Sequence, residues 1–592
     1  MSEDKKVSYG KKAGEVLIIL TLVLYPLRHA NCGLDYWDVG YNCLNYLYPA
    51  LGRMNAPAFF STYLAIYTGR FFSMLPGGST LLGMNLYCGL IISLGCCLSY
   101  TFMTRTLKFK KFPVFAGELL MMSLCYSPAV ILYNHLSNVL VLAALICLYT
   151  ALRDHKDILL FAAGVLLSIN LFVRFSNLPQ AAFILAVWVY VYRTEKDNKD
   201  HIFGILVKKT AFCLLGYLLP LVFFILLLSG IYGRGSYING IRGLFSMTSD
   251  AESYKSSYML KEMVLAYLKG MHRMVYIGAF CLIAVGFKLT ERWVKNKSRV
   301  SGIVYRVVPG LIAFMMLAVL IYRNLLQFNY HHYAVVYLSA ALFLDAAMLF
   351  ALRDLLSKKV SSDLKLFAGL VLLQIVTNSV GSNTGISVAM NSMFLSAPYL
   401  VYSLTGMVKE KVFGKYSYEL SVVLCTAGAA FFIQCFLFGV TYVYQEGYNT
   451  GTRSFSVAGN HVLSDIKMSE ERAMCLQDLT DYRNDNGLKG SEVITYGFKP
   501  SIAYYLEMTP VMMPWPDLES YSVKNMASDI ERIEEGIDRG VTGYPLVIKG
   551  SLSEADGIPE NPGKKSLIES FLDRYDYVLD HSNDTFEVWR KE

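Results

Sequence analysis

The sequence predicts a polytopic α-helical membrane protein of about 13 transmembrane helices, followed by a C-terminal extracytoplasmic α/β domain. Of the 592 residues, 54% are hydrophobic and only 17% are charged, whereas soluble domains have roughly 25% charged residues. From about Gln445 the long apolar stretches cease and the composition becomes that of a soluble domain. These two observations divide the chain into a membrane module, residues 1–444, and a domain of ordinary size, residues 445–592.

Each predicted span is an apolar stretch of about 20 residues. The stretches centre on Leu20, Ile91, Leu120, Ala144, Val165, Leu185, Phe223, Ile283, Phe314, Ala341, Leu370, Val401 and Ala429. Alternate loops between them are rich in Lys and Arg, and the intervening loops carry few. This alternation follows the positive-inside rule. It predicts a protein of the plasma membrane with a cytoplasmic N-terminus and, because the span count is odd, an extracytoplasmic C-terminus.

Two segments outside these spans are unusual. Residues 57–75, within the first outer loop at residues 28–78, have the aromatic spacing of an amphipathic helix lying in the membrane interface. A short span or re-entrant piece is the alternative. Residues 232–273 form a long predicted outer loop that contains Arg234 and Arg242. Basic outer loops are disfavoured, so this loop either binds an anionic headgroup or phosphate, or is a solvated amphipathic segment.

The C-terminal domain alternates predicted strands with predicted helices. Residues 493–496, 544–548 and 586–589 have the composition of strands, and residues 519–540 and 566–575 have that of helices. This order is typical of a small α/β domain. The domain contains no glycine-rich phosphate loop and no nucleophile elbow, so we expect it to be structural or to position an acceptor.

The most informative segment is GLDYWDVGYN, residues 33–42, just past the first span. It places Asp35 and Asp38 among aromatic residues on the predicted outer face. Carboxylates at such a position serve as general bases or as metal ligands, so both are candidate catalytic residues and a divalent cation is a possible cofactor. A solvated loop is the alternative interpretation of either acid.

Other polar residues fall at predicted outer span ends, where such groups are kept mainly for function or pairing. They are His135, Arg174, Arg323, His331, His332 and the motif at residues 381–385 with Asn383. Taken singly, each has an alternative: the histidines as interfacial side chains, the arginines as headgroup anchors, and the motif as a turn. A shared cavity is the joint hypothesis.

The twelve cysteines lie mostly in apolar stretches and show no metal-ligand spacing. Cys32 and Cys43 flank the acidic segment and are either a disulfide or two free thiols. The net charge of +8 is mostly cytoplasmic loop charge, and no nucleic-acid reader motif accompanies it. Nucleic acid is therefore not an expected partner.

The layout resembles the bacterial GT-C superfamily of membrane glycosyltransferases, and distantly the protein O-mannosyltransferases and lipid A aminoarabinose transferases. Their first-loop signature is often Asp-Glu-Gly followed by aromatics. Here Asp38-Val39-Gly40-Tyr41 matches it with Val39 in place of Glu. The resemblance extends over the whole chain in architecture but in residues only over this motif. It implies a GT-C fold and inverting hexosyl transfer from a polyprenyl-phosphate sugar to a glycan, lipid or protein acceptor.

In this interpretation Asp38 is the base, and positive charge offsets the phosphate of the leaving lipid. The candidate phosphate-binding residues are Arg174, Arg323, Arg234 and Arg242. The candidate substrate-binding residues are Tyr36, Trp37, Tyr41, His135, His331, His332 and Asn383.

Two other classes of function compete with this interpretation. A transporter or flippase of a lipid-linked sugar is one, although the chain shows no clear internal duplication. A polysaccharide polymerase or ligase is the other, although such enzymes usually depend on a large late outer loop. A non-catalytic scaffold would tolerate substitution of Asp38, whereas a glycosyltransferase would not.

Overall fold

The computed structural model describes residues 3–49, 56–125, 130, 133–195, 199–247, 255–291, 299–380, 386–446, 453–551 and 560–592. Up to residue 446 these residues are mainly helical. The helices are α1 (Glu3–Leu24), α2 (Asp38–Leu47), α3 (Ala56–Ser61), α4 (Tyr63–Ser73), α5 (Leu81–Thr101), α6 (Lys111–Leu124), α7 (Tyr133–Arg153), α8 (Asp157–Val173), α9 (Ile184–Thr194), α10 (Lys199–Tyr232), α11 (Ser236–Met247), α12 (Ser256–Thr290), α13 (Arg299–Tyr322), α14 (Ala334–Leu356), α15 (Ser362–Ser379), α16 (Ser387–Met390), α17 (Ser396–Lys409) and α18 (Ser417–Thr441).

All thirteen predicted span centres lie within helices. Among the described residues, eight helices are long and apolar enough to cross a membrane: Leu81–Thr106, Tyr133–Arg153, Phe175–Thr194, His201–Tyr232, Ser257–Thr290, Ile303–Tyr322, Ala334–Leu356 and Gly414–Thr441. Large apolar side chains such as Leu219, Phe223 and Leu226 are exposed on α10, as expected of a surface that faces lipid. The chain is therefore a polytopic helical membrane protein, and the count of thirteen spans stays a prediction.

The segment at residues 57–75 is helical, as predicted, but it is divided at Thr62 into α3 and α4. Both helices are short for a span. Phe59 and Phe60 are buried against Phe172 and Tyr237, which fixes α3 to the bundle. The prediction of a loop at residues 232–273 is wrong. The described residues of this segment are largely helical and form α11 and the start of α12. The apolar helical spacing in these stretches outweighs their basic charge.

The C-terminal unit, residues 453–551 and 560–592, contains a five-stranded mixed sheet. Its elements are α19 (Glu470–Asp485), β1 (Glu492–Tyr496), α20 (Ser501–Tyr505), β2 (Thr509–Pro510), α21 (Val523–Asp538), β3 (Leu546–Gly550), α22 (Pro562–Arg574), β4 (Tyr577–Ser582) and β5 (Phe586–Lys591). The strand order is β2-β1-β3-β5-β4. β1 is parallel to β2 and β3, and β5 is antiparallel to β3 and β4. The five predicted elements are present, and four others, α19, α20, β2 and β4, were not predicted.

Side-chain alternation along the strands separates two apolar layers. Val493 and Ile548 face α19 and α20, whereas Ile494 and Val547 face α21 and α22. The first layer also contains Leu34, Val39 and Leu44 of the membrane module. The segment that carries the two aspartates is therefore part of the core of the C-terminal unit.

Candidate functional site

Residues 33–40, called the acidic turn below, lead into α2, and Asp35 fixes their shape. One carboxylate oxygen of Asp35 accepts the backbone N–H of Trp37 at 2.9 Å, and the other accepts that of Val39 at 2.9 Å. Helix starts leave such N–H groups without intrahelical partners, so Asp35 acts as a cap for α2. Burial raises the pKa of the Asp35 carboxyl, and the two N–H groups oppose that rise. Both oxygens of Asp35 are committed to the fold.

Asp38 is the first residue of α2 and is half-buried. Its side chain accepts a hydrogen bond from Tyr444, which follows the last membrane helix. Burial raises the pKa of the Asp38 carboxyl, the negative charge of Asp35 raises it further, and the Tyr444 hydroxyl opposes both. A carboxylate whose pKa is raised toward neutrality is a better proton acceptor than an ordinary one.

The acidic turn is held from the other side by α20. The backbone N–H of Ser501 donates to the carbonyl of Tyr36 at 3.0 Å, and the Ser501 hydroxyl accepts the N–H of Gly40 at 2.8 Å. Tyr505 donates its hydroxyl to the carbonyl of Asp35. A Cβ on Gly40 would lie 2.1 Å from the Cα of Ser501, so only glycine allows this approach. We call this contact the junction.

Arg174 is held by two neighbouring residues of the bundle, Tyr133 and Asn134. Its guanidinium donates to Asn134 at 2.8 Å and lies over the ring of Tyr133, 4.8 Å from the centroid. Tyr133 is within electrostatic range of both Arg174 and Asp38. The structure therefore brings two of the predicted site residues, Asp38 and Arg174, to the same region through Tyr133.

Behind Arg174 lies a layer of amide side chains, called the amide layer below. Asn170 donates to Gln180 at 2.8 Å, Gln180 to Asn378 at 3.3 Å, and Asn378 to Ser392 at 2.8 Å. These bonds link α8, α15 and the chain before α17. Sequence reading missed the layer, because its members are separated by up to about 200 residues and no spacing marks them.

Two cavities adjoin the acidic turn. A polar cleft of about 280 Å³ opens between the turn and the C-terminal unit. Its lining comprises Asp35, Tyr36, Trp37, Gln445, Glu471, Arg472, Lys499, Ser551, Asp584 and Thr585. A smaller cavity of about 100 Å³ lies on the membrane side, where Arg28, His29 and Tyr444 contribute to the lining. The Arg28 guanidinium donates to the carbonyls of Tyr25, Met122 and Gly439.

The three predicted aromatic residues occupy different settings. Tyr36 is buried, 8% exposed, between Tyr505 and Phe586 of the C-terminal unit. Tyr41 packs edge-on against Trp515 with ring centroids 5.8 Å apart. Trp37 is half-buried and lines the polar cleft. Tyr36 thus packs at the junction and also lines the polar cleft, Trp37 lines the same cleft, and Tyr41 packs against the C-terminal unit.

The remaining predicted residues are more dispersed. His135 is buried, whereas His331 and His332 are exposed, and a ring nitrogen of His332 accepts the N–H of Ala334 at the start of α14. Arg323 is exposed and donates to the hydroxyl of Tyr276 at 3.2 Å.

Arg234 and Arg242 are exposed, beside and on α11. The motif at residues 381–385, which contains Asn383, lies outside the described residues.

A divalent cation at the acidic turn stays a prediction. Each carboxylate oxygen of Asp35 accepts one backbone N–H group. Among the described residues, no group of three or more His, Cys, Asp or Glu side chains is arranged to hold a metal ion. Cys32 and Cys43 are both free thiols, so they do not form the disulfide that was one of the two predicted alternatives.

The chain was compared with known proteins. No protein-family model matches it, and a search of curated protein sequences finds no significant relative. Functional argument therefore starts from the residues of the site.

Proposed function

We propose that this protein is a GT-C-type membrane glycosyltransferase with Asp38 as its general base. It would move a sugar from a polyprenyl-phosphate donor to an acceptor on the outer face of the plasma membrane. One observation carries the proposal: both oxygens of Asp35 accept backbone hydrogen bonds, whereas Asp38 accepts a side-chain hydrogen bond from Tyr444 and lies within electrostatic range of Tyr133, whose ring lies under Arg174.

The resemblance to GT-C enzymes supplies the donor and the stereochemistry of the proposed reaction. Asp38 accepts the proton of an acceptor hydroxyl while the hydroxyl oxygen forms a bond to the anomeric carbon of the donor sugar. The bond from that carbon to the phosphate oxygen breaks, and the polyprenyl phosphate leaves with the electron pair. A single displacement inverts the anomeric centre. Burial beside Asp35 raises the pKa of Asp38, which suits a base that works near neutral pH.

Arg174 is the preferred group to offset the charge of the departing phosphate. Guanidinium matches phosphate oxygens in geometry and keeps its charge at every relevant pH. Asn134 and the ring of Tyr133 hold the Arg174 side chain in place, so little rearrangement is needed during the reaction. Arg323, Arg234 and Arg242 are weaker candidates, because none of them shares with Asp38 a described neighbour such as Tyr133.

The polar cleft is the proposed acceptor site. Its lining carries carboxylates, amide, hydroxyl and ammonium groups together with the indole of Trp37, a set that suits a polyhydroxylated acceptor such as a glycan. The lining includes Trp37, the residue before Asp38, whereas Asp38 itself is not part of it. This assigns the C-terminal unit the acceptor-positioning role expected from the sequence.

The test uses purified full-length protein in liposomes and a panel of polyprenyl-phosphate hexoses, with cell-envelope extract as acceptor. Release of polyprenyl phosphate is measured by mass spectrometry for wild type, Asp38→Asn and the matched control Asp465→Asn, which changes an exposed aspartate of the C-terminal unit. We expect release by wild type and control and its loss in a folded Asp38→Asn.

Equal release by wild type and Asp38→Asn would remove Asp38 as the base. No release from any donor, with the extract active toward a control enzyme, would overturn the glycosyltransferase itself.

A transporter of a lipid-linked sugar is the second candidate, and one observation favours it. Asp345 on α14 is fully buried, and neither of its carboxyl oxygens has a hydrogen-bond partner among the described residues. Ionisable groups inside membrane helices often belong to ion or proton pathways. Movement of an intact lipid-linked sugar across liposomes, without release of polyprenyl phosphate, would favour this candidate.

A further inference from the structure

An apolar groove of about 280 Å³ runs between α9 and α15, far along the chain from the acidic turn. Its walls are formed mainly by aliphatic side chains. They are Leu185, Ala186, Val189, Tyr190, Leu355, Leu366, Gly369, Leu372 and Leu373, with Ser362, Arg193 and Lys365 completing the lining. One wall belongs to the candidate span Phe175–Thr194, so the groove faces hydrocarbon if that helix crosses the membrane.

Both charged residues of the lining lie at the same end. Arg193 is in the last turn of α9 and Lys365 is in the first turn of α15. Arg193 is exposed and donates only to the carbonyl of Leu355, at 3.3 Å, among its described hydrogen bonds. Neither cation forms an ion pair within the part of the chain that the structure describes. Asp363 and Glu195 are also near this end but do not line the groove.

We propose that this groove binds a bilayer phospholipid with an anionic headgroup. The aliphatic walls take an acyl chain, and Arg193 and Lys365 contact the phosphate at the end of the groove. Basic residues at the end of an apolar inter-helical pocket suit such lipids, because the pocket binds the acyl chain while the basic residues bind the phosphate. The site is separate from the acidic turn and does not depend on the proposed function.

Gly369 gives a direct way to block the groove. A Cβ built there meets only the Cδ2 of Leu355, at 3.7 Å, which is an ordinary van der Waals contact. Gly369→Leu should therefore fold and fill the groove with its own side chain. Gly310→Leu is the matched control, since Gly310 is an exposed glycine of α13 with nothing within 4 Å of its Cβ.

The experiment reconstitutes the full chain in vesicles of equal phosphatidylglycerol and phosphatidylcholine and extracts it in mild detergent. Retained lipid is then counted by native mass spectrometry. Wild type and Gly310→Leu should retain phosphatidylglycerol in preference to phosphatidylcholine. Arg193→Gln with Lys365→Gln should lower this preference by about fivefold for each cation removed. Gly369→Leu should lose the retained lipid of both kinds.

Equal retention of the two lipids by wild type would overturn the proposal, because the groove would then take bulk lipid without regard to charge. Unchanged retention in Gly369→Leu would place the bound lipid elsewhere and would also overturn it. The two charge substitutions lie at the rim of the groove, so they test the preference even if the filled groove fails to fold.

Discussion

The acidic turn and the helical bundle satisfy their buried polar groups to different extents. In the turn, both oxygens of Asp35 accept backbone N–H groups, and α20 binds the carbonyls of Asp35 and Tyr36. In the bundle, the carboxyl oxygens of Asp345 and the side-chain oxygens of Asn170 and Gln374 have no partner among the described residues. Buried polar groups are normally hydrogen-bonded, so the bundle holds unused bonding capacity and the turn holds almost none.

This difference bears on how firmly Asp38 is held in position. Because the backbone of the turn is fixed from both sides, the position of Asp38 is set before any substrate arrives. Preorganised groups of this kind lower the cost of reaching a transition state. In the bundle, by contrast, a buried side-chain oxygen of the amide layer, that of Asn170, has no partner among the described residues. Three predictions test this division, beginning with the largest expected effect.

Gly40→Ala should break the junction. The new Cβ would lie 2.1 Å from the Cα of Ser501, so α2 and α20 must separate. We expect the free energy of unfolding of the C-terminal unit to fall by about 3 kcal/mol. Because Asp38 moves with the helix, transfer activity should fall on the order of 100-fold. Thermal unfolding and polyprenyl-phosphate release measure the two effects.

The matched control is Gly14→Ala, since Gly14 lies in α1 with nothing within 4 Å of its Cβ. Alanine favours helices over glycine by about 1 kcal/mol, so both substitutions stabilise their own helix locally. A Gly40→Ala protein as stable and active as Gly14→Ala would show that the junction is not close-packed.

The same substitution at Asp35 and at Asp345 should have different consequences. Asp35→Asn replaces one accepting oxygen with an NH₂ group that faces a backbone N–H, and should cost about 2 kcal/mol of stability. Asp345→Asn removes no described hydrogen bond and should leave stability within about 0.5 kcal/mol. Denaturation in a fixed detergent measures both. Equal losses of stability would mean that the buried carboxyl of the bundle and that of the turn contribute equally to the fold.

Tyr444→Phe should produce the smallest effect, a shift in pH dependence. A base is active when deprotonated, so activity falls as the pH drops through the pKa of Asp38. That pKa is raised by burial and by Asp35, which places the acid limb above the ordinary aspartate value of about 3.9. The Tyr444 hydroxyl favours the charged form, so its removal raises the pKa further and moves the limb to higher pH.

The control for this shift is Tyr322→Phe, which changes a tyrosine that is 84% exposed. Rates of polyprenyl-phosphate release across a pH series give the limb for each variant. A limb in Tyr444→Phe at the wild-type position, or at lower pH, would contradict the assignment of Asp38 as the titrating base.

Much of the fold could be read from local sequence. Apolar stretches of membrane length require helices, because a backbone in hydrocarbon must satisfy its own hydrogen bonds. Short stretches with the composition of strands similarly predicted β1, β3 and β5. The short strand β2 was not predicted, since its two residues, Thr509–Pro510, are too few to show a periodicity. The aspartates were also found locally, because acids beside a membrane span are conspicuous in composition.

Their roles were decided by the tertiary structure. Asp35 and Asp38 are only three residues apart, yet one caps the start of α2 and the other accepts a hydrogen bond from Tyr444. The contact of Gly40 with Ser501 joins positions 461 residues apart. No local pattern encodes such a pair, because which surfaces meet depends on how whole helices and the sheet pack. Sequence alone thus determined the helices and the two acids, and packing determined what each acid contacts.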